Sequence, residues 1–237
     1  MPIKRLLRSA KLQSAPAVLT AAIALNLGVV NLCAARSDTF RIIALGDSTT
    51  AGTPLYQSPS EFPPYGRGDV KNQFVYWLQS KHRDWEVLNA GVNAERIDQI
   101  ALRLDKDIFS KKPDMVIVMA GVNDIYQGYR EPEVFSGLAG LYGELASERL
   151  PFIACSILPY NSAGFYQTRK IQTVNQWIRK RASEWGGYFC DTYRAVEDPK
   201  HPGKLISTMD GLHPDTKAHQ LLAETIEQCI ESSLTKN

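Results

Sequence analysis

The chain has 237 residues, 44% of them hydrophobic and 22% charged. Those proportions exclude a disordered or fibrous protein, and the length suits a single globular domain. Four cysteines are too few for a disulfide scaffold at this length, and a formal net charge of +2 is too small to mark a nucleic-acid binder.

The basic surplus is also confined to one end. Lys4, Arg5, Arg8 and Lys11 are four of the 27 basic residues, and none of the 25 acidic ones precedes residue 36. Residues 36–237 therefore carry a net charge of −2, which leaves no basic surface to follow a phosphate backbone. Residues 15–35 read APAVLTAAIALNLGVVNLCAA. A basic start, an apolar run and small residues at its end describe a secretory signal, with cleavage expected after Ala35. That reading makes residues 36–237 a secreted or periplasmic domain. The alternative is an uncleaved anchor, because the run approaches bilayer-spanning length, although Thr20, Asn26, Gly28 and Asn31 weaken it as a stable span. Lipidation at Cys33 is disfavoured by the bulk of Leu32 before it. Membrane contact is expected only through this segment.

From residue 40 onward, strand-like and helix-like stretches alternate. Phe40–Leu45 is a short apolar strand, followed by a long irregular stretch over about residues 52–69. The spacing predicts a helix over 70–81, with Val70, Phe74, Trp77 and Leu78 on one face. A second strand runs over Trp85–Asn89. Residues 94–109 follow as a helix with Ile97, Ile100, Ala101, Leu104 and Ile108 inward. Met115–Ala120 is apolar without interruption, as a parallel strand covered on both faces should be. A helix over 131–149, a strand over Phe152–Leu158, a helix over 166–185, a strand over Tyr188–Thr192 and a helix over 215–233 complete the series. Five strands separated by helices predict one α/β domain, a parallel sheet with helices on both faces.

In such sheets chemistry collects at the carboxyl ends of the strands. There the chain places Gly46-Asp47-Ser48, Asn89-Ala90-Gly91 and Gly121-Val122-Asn123-Asp124, and before the last helix Asp210-Gly211-Leu212-His213-Pro214. Ser48 suits a nucleophile and His213 its base. Asp210, three residues earlier, can fold back to orient the ring. The developing oxyanion needs donors, for which the Ser48 N–H, the Gly91 N–H and the Asn123 amide are the candidates. Taken singly, each block also reads as an ordinary turn or cap; together, in this order and at strand ends, they are far more specific.

These four blocks resemble those of the GDSL esterase/lipase family, the SGNH hydrolases, over about residues 40–230. The resemblance implies a flavodoxin-like α/β/α sandwich with strand order 2-1-3-4-5, which sets Ser48 between its neighbours' loops. It implies Ser48 as nucleophile, Asp210 and His213 as acid and base, and Ser48, Gly91 and Asn123 around the oxyanion. Thr49 departs from the Leu of many members and resembles carbohydrate-active branches.

No cofactor and no metal are expected. Asp47 and Asp124 read as side chains that hold loop backbones, His82 and His219 as surface helix residues, and His201 as a possible border of the substrate site. Cys155 and Cys190 lie in strands that the resemblance makes neighbours. Buried free thiols are expected there, with a disulfide between them as the alternative, and Cys229 has no obvious partner. Aromatics crowd the loops: Tyr56, Phe62, Tyr65, Tyr126, Tyr129, Tyr160, Phe165 and Tyr166. The expected function is an exported serine hydrolase of carboxylic esters. Simple acyl esters or lysophospholipids lead as substrates, and polysaccharide O-acetyl groups are the alternative. A catalytically inactive glycan-binding module on the same fold is the rival of a different class.

Overall fold

The computed structural model describes residues 39–235; the proposed signal or anchor over 1–35 lies outside them. Five parallel strands form the central sheet: β1 (Phe40–Gly46), β2 (Trp85–Gly91), β3 (Met115–Met119), β4 (Phe152–Cys155) and β5 (Gly187–Cys190). Their order is β2-β1-β3-β4-β5, so the first strand made lies inside the sheet. Ile42 is opposite Val87 on one side and Met115 on the other, and Gly46 is opposite Gly91 and Met119. The carboxyl ends of these three strands are thereby level.

Alternate residues of each strand point to opposite faces, and both faces are covered. Ile43, Leu45, Val116 and Val118 pack beneath α3 (Ile97–Ala101), α4 (Leu104–Asp107), α6 (Glu131–Ser147) and α7 (Phe165–Arg181). Ile42, Ala44, Ile117 and Met119 pack beneath α2 (Phe74–Lys81) and α9 (Thr216–Leu234). Four further residues, Phe74, Leu222, Ile226 and Ile230, are fully buried in that second layer. Among the described residues no helix is long and apolar enough to cross a membrane.

Several expectations need correction. The helix expected from residue 70 begins at Phe74, and Val70 is exposed. The single helix over 94–109 is instead two short helices, because the backbone leaves helical geometry at Arg103 (φ −110°, ψ 10°). Its apolar residues Ile97, Ile100, Leu104 and Ile108 are nevertheless all buried. The helix over 166–185 ends as α7 at Arg181 and continues as a tighter 3₁₀ turn to Trp185, stopped by Gly186 at φ 77°. Three short helices add to these: α1 (Ser48–Ala51), α5 (Val122–Tyr126) and α8 (Thr192–Val196). Four or five residues are too few to display a 3.6-residue period. The irregular stretch 52–69 contains a small antiparallel ladder of Tyr56–Gln57 with Arg67–Gly68.

Cysteine pairing also differs. Cys190 is bonded to Cys229 on α9, with Cα atoms 5.8 Å apart, and Cys155 is the buried free thiol. Cys155 and Cys190 are opposite each other in β4 and β5 as anticipated, but the partner comes from the helix lying across that face. Burial pushes the Cys155 thiol well above its ordinary range, so it stays protonated. His219 is not a surface residue. It is fully buried on α9, its ring against Phe74, and neither ring nitrogen has a hydrogen-bond partner. His82 is partly covered, stacked on Trp85 at 3.7 Å and bonded to Glu227 at 2.7 Å.

Candidate active site

The segments after four strands, β1 to β4, and the segment before α9 converge on one cavity of about 260 Å³. Its walls include Ser48, Thr49, Asn93, Ala94, Asn123 and His213. Ser48 opens α1 directly after β1. Asp47 caps this helix, its carboxylate accepting the Thr49 N–H at 3.0 Å. The cap has only a one-turn helix to hold, and a second clamp secures it from β2. The Asn89 amide donates to the Thr50 carbonyl at 2.8 Å and the Ala51 carbonyl at 3.2 Å. It also donates to Gln73 Oε1 at 2.7 Å.

His213 stands opposite. Its Nε2 is 3.1 Å from Ser48 Oγ and its Nδ1 is 2.7 Å from Asp210 Oδ2. The local turn explains the reach. Asp210 Oδ1 accepts the N–H groups of Leu212 and His213 at 2.9 and 2.8 Å, curling the chain back on itself. Gly211 allows this curl at φ 76°. Thr208 Oγ1 donates to the His213 carbonyl at 2.6 Å and accepts the Gly211 N–H at 2.9 Å, closing the loop. Partial burial raises the Asp210 carboxyl, but the hydrogen bonds from His213 and the two backbone groups outweigh it and hold it at about 2. It is an anion at any pH at which the imidazole can act as a base.

The oxyanion donors require a correction. Gly91 does not line the cavity, and its N–H is already given to Asn89 Oδ1 at 2.9 Å. Glycine is needed there for packing: a Cβ would lie 2.1 Å from the Ala51 nitrogen and 2.6 Å from the Thr50 carbonyl carbon. Its absence lets α1 seat on β2. From this loop Asn93 and Ala94 line the cavity, and Ala94 is in left-handed backbone geometry at φ 63°. Among the described residues the N–H groups of Ser48 and Ala94 have no acceptor. Asn123, in the first turn of α5, spends one amide hydrogen on the Glu95 carbonyl at 2.9 Å and keeps the other. Nothing in the residue type signalled Ala94, since left-handed geometry at an alanine costs roughly 1–2 kcal/mol and is rarely inferred.

Asp47 and Asp124 hold backbone, as expected: Asp47 caps α1, and Asp124 accepts the Ile97 N–H at 3.2 Å. The stretch 52–69 supports the same loop. Glu61 accepts the Asn93 N–H at 2.8 Å, and the Ser58 hydroxyl donates to the Gly91 carbonyl. His201 is bonded to Asp198 and does not line the cavity. Of the loop aromatics only Tyr126 does; Tyr56 and Tyr160 are buried packing, while Tyr65, Phe165 and Tyr166 are exposed. His82, Glu227 and Glu231 bring ligand atoms within 4.8 Å of one another, but the Lys81 ammonium already pairs with Glu227 at 2.6 Å.

The sequence profile of the GDSL-like lipase/acylhydrolase family matches residues 44–221. The chain belongs to that family and is a GDSL-type ester hydrolase. An acetylxylan esterase of Geobacillus stearothermophilus is 26% identical over 200 residues, 77% of this chain and 90% of the relative. The crystal structure of Axe2, an acetylxylan esterase from the same organism, superimposes with a TM-score of 0.63 at 21% identity, covering 80% of this chain and 93% of Axe2. A GDSL-like lipase from Bacteroides thetaiotaomicron gives the same TM-score at 20% identity, covering 82% of this chain and 89% of the other. The α/β fold, a five-stranded parallel sheet flanked by helices, matches that of these neighbours.

Proposed function

We propose that the protein is an exported serine esterase that removes short acyl groups, acetyl above all, from a carbohydrate. The hydrogen-bonded series Asp210–His213–Ser48, opening on the cavity, carries the chemistry. His213 Nε2 takes the Ser48 hydroxyl proton as Oγ attacks the ester carbonyl. The tetrahedral oxyanion is held by the N–H groups of Ser48 and Ala94 and the Asn123 amide. His213 passes its proton to the departing alcohol, then activates water to release the acid. Asp210 keeps the ring in the required tautomer and offsets its positive charge.

Two observations favour a small acyl group on a sugar over the lysophospholipid reading. The similarity to an acetylxylan esterase extends over 90% of that relative. The cavity, at about 260 Å³, is smaller than the ~300–1,000 Å³ usual for drug-sized ligands, which suits a small acyl group. Export is supported by the basic-apolar N-terminal pattern and by the Cys190–Cys229 disulfide, since such bonds persist in oxidising compartments.

The test is a panel of acetylated xylan, acetyl and octanoyl p-nitrophenyl esters and a lysophospholipid, each with wild type and Ser48→Ala. Turnover should rank acetyl over octanoyl by at least tenfold and vanish in Ser48→Ala, and a fluorophosphonate should label Ser48 alone. Retained turnover in Ser48→Ala overturns the mechanism. A lysophospholipid preferred to acetyl esters overturns the substrate class.

A further inference from the structure

One arginine binds chain segments beside the oxyanion arrangement without lining the cavity. The Arg103 guanidinium donates through Nη2 to the Gly46 carbonyl at 2.7 Å and through Nη1 to the Ala90 carbonyl at 2.6 Å. Those carbonyls lie at the carboxyl ends of β1 and β2. The same group donates through Nε to Glu95 Oε2 at 2.6 Å and through Nη1 to Asp107 Oδ2 at 2.8 Å. Its side chain is only 12% exposed, and its carboxylate partners are 18% and 5% exposed. Charge-assisted bonds so well shielded from solvent are the strong kind.

Two of these contacts lie within two residues of an oxyanion donor. Gly46 precedes Ser48 by two residues. Glu95 directly follows Ala94, and its carbonyl receives the Asn123 amide. One rigid planar group thus ties together the two strand ends and the loop that follows β2. The loop needs such a tie, because Ala94 is held in a conformation that alanine disfavours.

We propose that Arg103 is a positioning residue that fixes the relative placement of the Ser48, Ala94 and Asn123 donors, and so controls the chemical step rather than substrate binding. The helix break at Arg103 serves this arrangement, since leaving helical geometry lets the side chain turn under the strand ends. A lysine at this site has the charge but one point of attachment in place of a fork. The proposal rests on the assignment of Ser48 as nucleophile and of these three donors.

The test compares wild type, Arg103→Lys, Arg103→Ala and Glu95→Gln on an acetyl ester, with thermal melting of each. A donor displaced by about 1 Å costs on the order of 10²-fold. Arg103→Lys is therefore expected to lose roughly 10- to 100-fold in kcat with KM within threefold of wild type. Glu95→Gln keeps one bond and loses its charge, so kcat should fall several-fold, again at constant KM. In Arg103→Ala, millimolar guanidinium should restore kcat at least fivefold, while leaving wild type and Ser48→Ala unaffected. Either Arg103→Lys with kcat within threefold of wild type, or variants whose KM rises in step with the fall in kcat, overturns the proposal. If Arg103→Lys fails to fold, Glu95→Gln decides: an unchanged kcat overturns it. Turnover surviving in Ser48→Ala would instead remove the nucleophile assignment beneath it, so the two failures are distinguishable.

Discussion

At the scale of single residues, the site shows why residue type alone misplaces one of its parts. A free backbone N–H close to a carbonyl carbon suggests glycine, and Gly91 stands at a strand end where such a donor belongs. Its actual work is steric. Asn89 takes its N–H, and the missing Cβ admits α1. The position facing the cavity, and with it the proposed donor role, falls instead to Ala94, three residues on, through a backbone angle that no composition or spacing announces. Ser48, Asn123, Asp210 and His213 were legible as candidates because the roles proposed for them belong to side chains, for which residue identity is informative. A substitution separates the two roles. Ala94→Gly relieves left-handed strain and leaves the N–H in place, so stability should rise by about 0.5–1 kcal/mol with kcat/KM within threefold of wild type. Urea denaturation and initial rates measure both; a destabilised variant would mean that the methyl group packs usefully.

At the scale of elements, the one-turn helix α1 cannot hold itself. It is held from outside, by Asp47 beneath and by the Asn89 amide across its last carbonyls. Gly91→Ala tests that seat. The added carbon meets backbone at 2.1 Å, with no flexible side chain to yield. A loss of about 2–3 kcal/mol is expected, in the upper range for overpacking, together with a fall in kcat as Ser48 shifts from His213. Unchanged melting and rate would show that α1 moves freely. The main strands and long helices could be read from apolar periodicity because each is long enough to repeat. α1, α5 and α8 could not, and neither could the Cys190–Cys229 pairing, which depends on which face of α9 meets β5 across 39 residues of chain.

At the scale of the whole molecule, two buried titratable groups pull its pH dependence in opposite directions. Burial pushes the His219 ring from 6.5 down to about 3. The unfolded chain then binds a proton that the folded one refuses, so this group's contribution is complete above pH 6.5 and lost as pH falls toward 3. Burial pushes the Asp47 carboxyl from 3.8 up to about 7, against the Thr49 hydrogen bond. Here the folded chain holds the extra proton, and the contribution is complete below pH 3.8 and lost as pH rises through 7. Between about pH 4 and 6.5 each slope approaches 1.4 kcal/mol per unit, and they offset each other. Asp47→Asn keeps a good helix cap and should unmask a stability that climbs with pH across this window. His219→Leu should unmask one that declines. Urea titrations at pH 4.5, 5.5 and 6.5 measure the slopes, and variants that follow the wild-type profile would refute them.

Ser48 and His213, the proposed nucleophile and base, are 165 residues apart in the chain. Ser48 leaves the ribosome early, on the strand around which the rest of the sheet is later laid. His213 arrives only with the segment before the closing helix. No partial product of synthesis that stops short of residue 213 contains a hydrolase, however much of the sheet it has formed. Oxidation at Cys229 comes later still and seals the last helix to the last strand. On the proposed mechanism the serine is inert until the segment carrying His213 has joined the domain.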